Sequence, residues 1–193
     1  MRSIVLKYAS ALLACGFAVL ISHQTAEAEA EVSQKHVVML DSVEVTPGSA
    51  FSVNIQVIAG KIADDEPEGK MGFGSFCIPL KYDKDSFTAD SVVFFNTLTQ
   101  WDEKFTNPKI DTGFVSLAGI YDMGGKDNKP VYTPDKPEKI AEIFFTAKKK
   151  IKPGVYKIDL TEDPRQNWIY LGSPVGLKSI TPVYVPGKIV VKE

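Results

Sequence analysis

Val43 to Val57 reads VEVTPGSAFSVNIQV, and its alternation decides the fold class. Val43 and Val45 alternate with Ser42 and Glu44. Thr46-Pro47-Gly48 is a turn signal. Phe51, Val53, Ile55 and Val57 then alternate with Ser52, Asn54 and Gln56. Successive strand side chains point to opposite faces, so this pattern predicts two strands and a tight turn, the second strand having one buried and one wet face.

The same period of two recurs downstream. Gly74, Phe76, Ile78, Leu80 and Tyr82 alternate with Ser75, Cys77, Pro79 and Lys81. The first set should face inward and Ser75, Cys77 and Lys81 outward. Pro79 has no N–H, so its donor position must fall where no ladder partner needs it. Further strands are expected at Phe87 to Phe95, Phe114 to Tyr121, Ile140 to Ala147, Tyr156 to Leu160, Val183 to Val185 and Lys188 to Lys192. Asn96 to Lys109 carries Trp101 without a clear period and reads as loop with at most a short strand. Lys61 to Lys70, Met123 to Pro137 and Asp163 to Lys178 read as loops. No segment past the N-terminal leader sustains a 3.6-residue period with caps. The expected fold is all-β, a single jelly-roll or Ig-like sandwich of about nine strands.

The N-terminus has a different character. Arg2 and Lys7 precede the uncharged apolar run Tyr8 to Ser22, and Ala26-Glu27-Ala28 offers small residues at peptidase positions. This describes a secretory signal peptide over residues 1–28. The run of 15 residues is shorter than the ~20 that span a bilayer, so no membrane span is expected after cleavage. Leu12-Leu13-Ala14-Cys15 resembles a lipobox, but Gly16 to Ile21 continue the apolar segment that such a cysteine should close; a lipid anchor is the lesser reading. Residues 29–36 are expected as a flexible tail and 37–193 as the domain. The compartment is extracellular or periplasmic. Removing Arg2, Lys7 and Glu27 moves the formal net charge from −2 to −3. Lys148-Lys149-Lys150 is too short a basic run to suggest nucleic acid. Past residue 28 the one cysteine is Cys77, so the fold must stand on its core without a disulfide.

Catalytic constellations are sparse. His36 is the one histidine past the leader and is expected at the surface near the tail. Cys77 lacks a neighbouring base in sequence and reads as a small, partly covered strand residue. One His and one Cys are too few for zinc. Asp64, Asp65, Glu66 and Glu68, and separately Asp122, Asp127 and Asn128, could offer oxygen ligands to Ca²⁺. Neither group has the D-x-[DN]-x-[DN]-G spacing, and a solvated loop is the plainer reading. No cofactor is expected. Paired carboxylates need a cleft that small sandwiches rarely present, so the chain is read as non-enzymatic.

In order, the motifs resemble the cohesin domain. Val43 to Val57, GSFCIPLKYD at Gly74 to Asp83, Gly113 to Ile120 followed by KIAEIFFTA at Lys139 to Ala147, and PGKIVV at Pro186 to Val191 carry the resemblance. Together they cover about residues 37 to 192. The resemblance implies a flat outer sheet face that binds a dockerin, a small calcium-loaded module on another secreted protein, in a setting of extracellular polysaccharide breakdown. It places Ser75, Cys77, Pro79 and Lys81 on that face, together with outward positions of Phe114 to Tyr121 and of Ile140 to Ala147. Ser75, Cys77 and Pro79 stand where polar Asn and Asp are usual, so another secreted partner is a second expectation. A carbohydrate-binding module is the alternative, with Trp101, Trp168 and Tyr170 as loop aromatics on which sugar rings could stack, although each Trp capping the core from its loop is the plainer reading.

Overall fold

A computed structural model describes residues 35–60, 72–95, 100–107, 112–123, 132–161, 170–172 and 179–193. The leader, most of the tail, Trp168 and the acidic stretch 61–70 lie outside them. The described residues form thirteen strands and no helix: β1 (Val37–Leu40), β2 (Val43–Val45), β3 (Ala50–Ile58), β4 (Ser75–Lys81), β5 (Phe87–Phe94), β6 (Glu103–Thr106), β7 (Phe114–Ile120), β8 (Glu138–Ala147), β9 (Gly154–Leu160), β10 (Tyr170–Gly172), β11 (Ser179–Ile180), β12 (Val183–Val185) and β13 (Gly187–Val191). The count exceeds nine because the family of short strands β1, β6, β10 and β11 has no alternation long enough to read.

Two sheets face each other. Sheet one has the order β12-β1-β3-β8-β5. In sheet two the path is β11-β10-β4-β9-β13-β2, with β7 added on the other flank of β4 and β6 beyond β7. The alternating residues meet between them: Val53, Ile55 and Val57 from β3, Phe76, Ile78 and Leu80 from β4, Val115 and Leu117 from β7, and Ile143 and Phe145 from β8 are at most 1% exposed. Each such side chain contributes about 1.5–3 kcal/mol of burial. Phe145 stacks on Phe51 at 5.5 Å and meets Tyr82 edge-on at 5.3 Å, so the Tyr82 ring packs into the core at the end of β4.

Both chain ends cross from one sheet to the other at one corner. β1 pairs parallel with β12 in sheet one, and β2 pairs parallel with β13 in sheet two. The crossing segments touch: a Cβ on Gly187 would lie 2.7 Å from Asp41 O and 2.9 Å from Leu40 Cβ. Only glycine fits there.

His36 is not at the surface. It is fully buried, its Nδ1 accepts the Gly60 N–H at 2.9 Å, and its ring meets Phe73 edge-on at 5.8 Å. An accepting Nδ1 leaves the ring proton on Nε2. Gly60 is confined to glycine, since a Cβ would come within 2.2 Å of the Lys35 carbonyl carbon.

Candidate partner-binding face

The outer surface of sheet two is built on β4. Along its whole length β4 pairs antiparallel with β7, placing Ser75 opposite Ile120, Cys77 opposite Ala118, Pro79 opposite Ser116 and Lys81 opposite Phe114. β6 extends the register, with Glu103 opposite Ile120 and Phe105 opposite Ala118. Directly opposed residues share a face. Phe105, Ala118 and Cys77 therefore form one row across three strands. Phe105 is 50% exposed, and Ala118, Cys77, Ser75 and Ile120 are half-buried.

The other flank of β4 is divided. β10 pairs with its first part, Tyr170 opposite Cys77, and β9 with its last, Lys81 opposite Asp159. Pro79 sits at the division, where its carbonyl accepts the Thr161 N–H at 3.3 Å. A strand residue's N–H and C=O point to the same flank, so the missing donor of Pro79 falls in the gap between β10 and β9. Pro79 is buried and adds nothing to the exposed surface; Ser75, Cys77 and Lys81 are its half-buried companions.

The floor beneath the row is rigid. Trp101 is 3% exposed and packs against Phe76 at 5.2 Å, Tyr121 at 5.3 Å, Tyr132 at 5.5 Å and Phe73 at 5.9 Å. Gly119 of β7 gives these rings their space: its Cβ would meet Phe76 Cε1 at 2.5 Å and Trp101 Cε3 at 3.1 Å. Beyond the strands, the Asn107 side-chain oxygen accepts the Ser116 N–H at 2.6 Å and locks β6 to β7. The Cys77 thiol is pushed up by burial, opposed by a hydrogen bond with Ser116. It is protonated at neutral pH and a weak nucleophile.

One expectation is corrected. Ile140 to Ala147 forms β8 in sheet one, so its outward residues Glu142 and Phe144 face away from the β4–β7 surface. Trp101 is a core residue, packed among Phe73, Phe76, Tyr121 and Tyr132, as the core-capping reading has it. The proposed sugar strip thus loses a member. Tyr170 lies in β10 by its backbone, and Trp168 is outside the described residues. Phe105 was missed: Glu103-Lys104-Phe105-Thr106 is a four-residue edge strand, too short for periodicity to reveal. Among the described residues no three His, Cys, Asp or Glu gather as metal ligands; Asp64 to Glu68, Asp127 and Asn128 lie outside them.

No protein-family model and no curated protein matches the sequence. Solved structures match by fold. The third ScaC cohesin of Acetivibrio cellulolyticus, solved in complex with the ScaB dockerin, superposes with a TM-score of 0.62 at 21% identity, over 82% of this chain and 99% of that one. The OlpA cohesin–Doc918 complex from Clostridium thermocellum gives 0.60 at 14% identity, over 82% and 99%. A non-cellulosomal cohesin from the archaeon Archaeoglobus fulgidus gives 0.55 at 11%, over 82% and 92%. The fold is cohesin-like.

Proposed function

We propose that this chain is a non-catalytic protein-binding module that captures a dockerin-type partner on the outer face of sheet two. The observation that carries the reading is the row Phe105–Ala118–Cys77: one half-exposed aromatic beside small side chains, on three paired strands backed by packed rings. Interface energy concentrates in such an anchor set beside a surface that a partner can cover closely. The solved complexes support the partner class, because cohesins of this fold have been captured with dockerins. Export through the leader at residues 1–28 and a link to polysaccharide breakdown belong to the same proposal. Loop aromatics as a sugar platform are not favoured, since Trp101 is in the core.

The test uses the one thiol past the leader, at the centre of the face. The chain from residue 29 is passed over a panel of immobilised dockerins, with calcium and with chelator, before and after Cys77 is alkylated by a bulky maleimide. Capture of one panel member, lost on alkylation, is expected. No capture in any condition, or capture indifferent to alkylation, would sink the reading.

A further inference from the structure

One end of the sandwich gathers positive charge that the sequence shows only in part. Three turns, at residues 46–49, 83–86 and 148–153, lie side by side there. The Lys148 N–H donates to Ser86 O at 2.9 Å, the Lys148 ammonium to Lys84 O at 2.6 Å, and the Ala147 N–H to Ser49 O at 2.9 Å. A Cβ on Gly48 would stand 3.3 Å from Lys149 Cγ, so that lysine stem lies against the first turn. Folding thus brings the backbone of Lys84, whose stem lies against Gly113, beside the run 148–150 that the chain itself continues at Lys152.

Ile151 explains the outward display. It is 8% exposed and plugs the core, so its neighbours Lys150 and Lys152 must leave the surface. Lys84, Lys149, Lys150 and Lys152 are all exposed, and none makes an ion pair among the described residues. Two nearby carboxylates are engaged. Asp83 accepts the Asp85 N–H at 2.9 Å and the Ser86 hydroxyl at 2.6 Å, and Glu44 pairs with Lys192. Asp85 is exposed in the turn. Like charges held together repel one another, and a polyanion relieves that repulsion.

Beside the lysines opens a cleft of about 420 Å³, lined by Glu44, Thr46, Ser49, Phe51 and Lys192 among others. The Ser49 hydroxyl is held by the Thr46 backbone and one face of Phe51 is stacked on Phe145, which leaves the Thr46 hydroxyl and the exposed part of the half-buried Phe51 ring to meet a sugar ring. For insertion into a bilayer the 148–153 turn offers little beyond Pro153, since Ile151 is in the core, and Val155 past the turn is the nearest exposed aliphatic.

We propose that this pole binds an acidic polysaccharide, its carboxylates taken by Lys84, Lys149, Lys150 and Lys152 and a sugar ring by the adjoining cleft. The site is separate from the row on sheet two, so the two bindings can be lost independently.

The test is affinity electrophoresis of the chain from residue 29 in gels containing polygalacturonate or neutral dextran, with sedimentation on vesicles of phosphatidylcholine and phosphatidylglycerol alongside. Retardation by polygalacturonate alone is expected, fading as salt rises from about 50 to about 500 mM. The variant K84Q/K149Q/K150Q/K152Q should bind roughly tenfold more weakly or worse, since exposed charge contacts are individually weak and act together. The variant K136Q/K157Q/K188Q, with exposed lysines elsewhere, should bind as the parent does, and both should unfold at the parent's temperature. Unchanged mobility of the parent overturns the proposal, as does equal weakening of the two variants. Binding to vesicles without retardation by polygalacturonate overturns it in favour of a lipid surface.

Discussion

The two outer faces of the sandwich use their side chains in opposite ways. On sheet one the polar groups bond to one another. The Ser52 hydroxyl donates to Glu142, Lys139 pairs with Glu142 at 3.2 Å, and the Asn54 and Gln56 amides both donate to Asp41. The Lys139 ammonium also lies 3.9 Å over the Phe95 ring. Phe144 and Val93 are exposed there, but they stand among Glu142, Ser91 and Asp90. On sheet two the central row of Phe105, Ala118 and Cys77 has, among the described residues, only the Cys77–Ser116 hydrogen bond and offers apolar area instead. A solvated face satisfies itself; a face awaiting a partner leaves area to be covered.

The comparison can be broken first at the core the faces share. Phe145→Ala beneath sheet one and Phe76→Ala beneath sheet two should each cost about 3–5 kcal/mol in urea unfolding, both fully buried aromatics being removed from one packed cluster. Each variant should unfold in a single transition with a lower midpoint. A two-step curve for Phe76→Ala would mean that the sheets are separate cooperative units and that the contrast between faces reflects two independent layers.

The next effect separates the faces themselves. Phe105→Asp should weaken partner capture by about 2 kcal/mol or more while changing stability by under about 0.5 kcal/mol, as expected for an exposed anchor. Phe144→Asp on sheet one should leave capture unchanged. Equal losses in surface plasmon resonance would erase the distinction.

The smallest effect concerns acid. The hydrogen bond from Ser52 holds the Glu142 carboxyl below its ordinary value of 4.5, with Lys139 assisting and partial burial opposing. A carboxyl depressed on folding adds stability that is complete above its ordinary value and fades as pH falls through the folded one. Ser52→Ala should therefore narrow the stability difference between neutral and acid conditions, measured by thermal unfolding across that range. A steeper acid loss in the variant would show that the sheet-one network does not act on Glu142.

Much of this architecture was legible from alternation. Phe51 to Val57, Phe76 to Leu80 and Ala141 to Ala147 point as their period demands, and the ordered motifs indicated the cohesin-like fold. Alternation says which side chains turn inward, but not which sheet a strand joins. The resemblance put the outward residues of Ile140 to Ala147 on the β4 face, and nothing in those residues opposes it, because the pairing of β8 with β3 and β5 is non-local. Loop position likewise does not determine burial. His36 is expected outside because it borders the tail, yet it is buried against Phe73 and Gly60, and Trp101, open to a core or a sugar-platform reading, goes into the core where Gly119 leaves it room. Phe105 became visible only when β7 supplied a register for its short strand, and the lysine pole only when turns far apart in sequence met.

The corner where β1 and β2 run alongside β12 and β13 has a mechanical consequence. A load pulling the first strand backwards and the last strand forwards slides parallel neighbours past each other along their length. The ladder bonds then share the force and must fail together, instead of opening one at a time like a zipper. A tether joined through these strands would hold under tension that peels an ordinary hairpin apart.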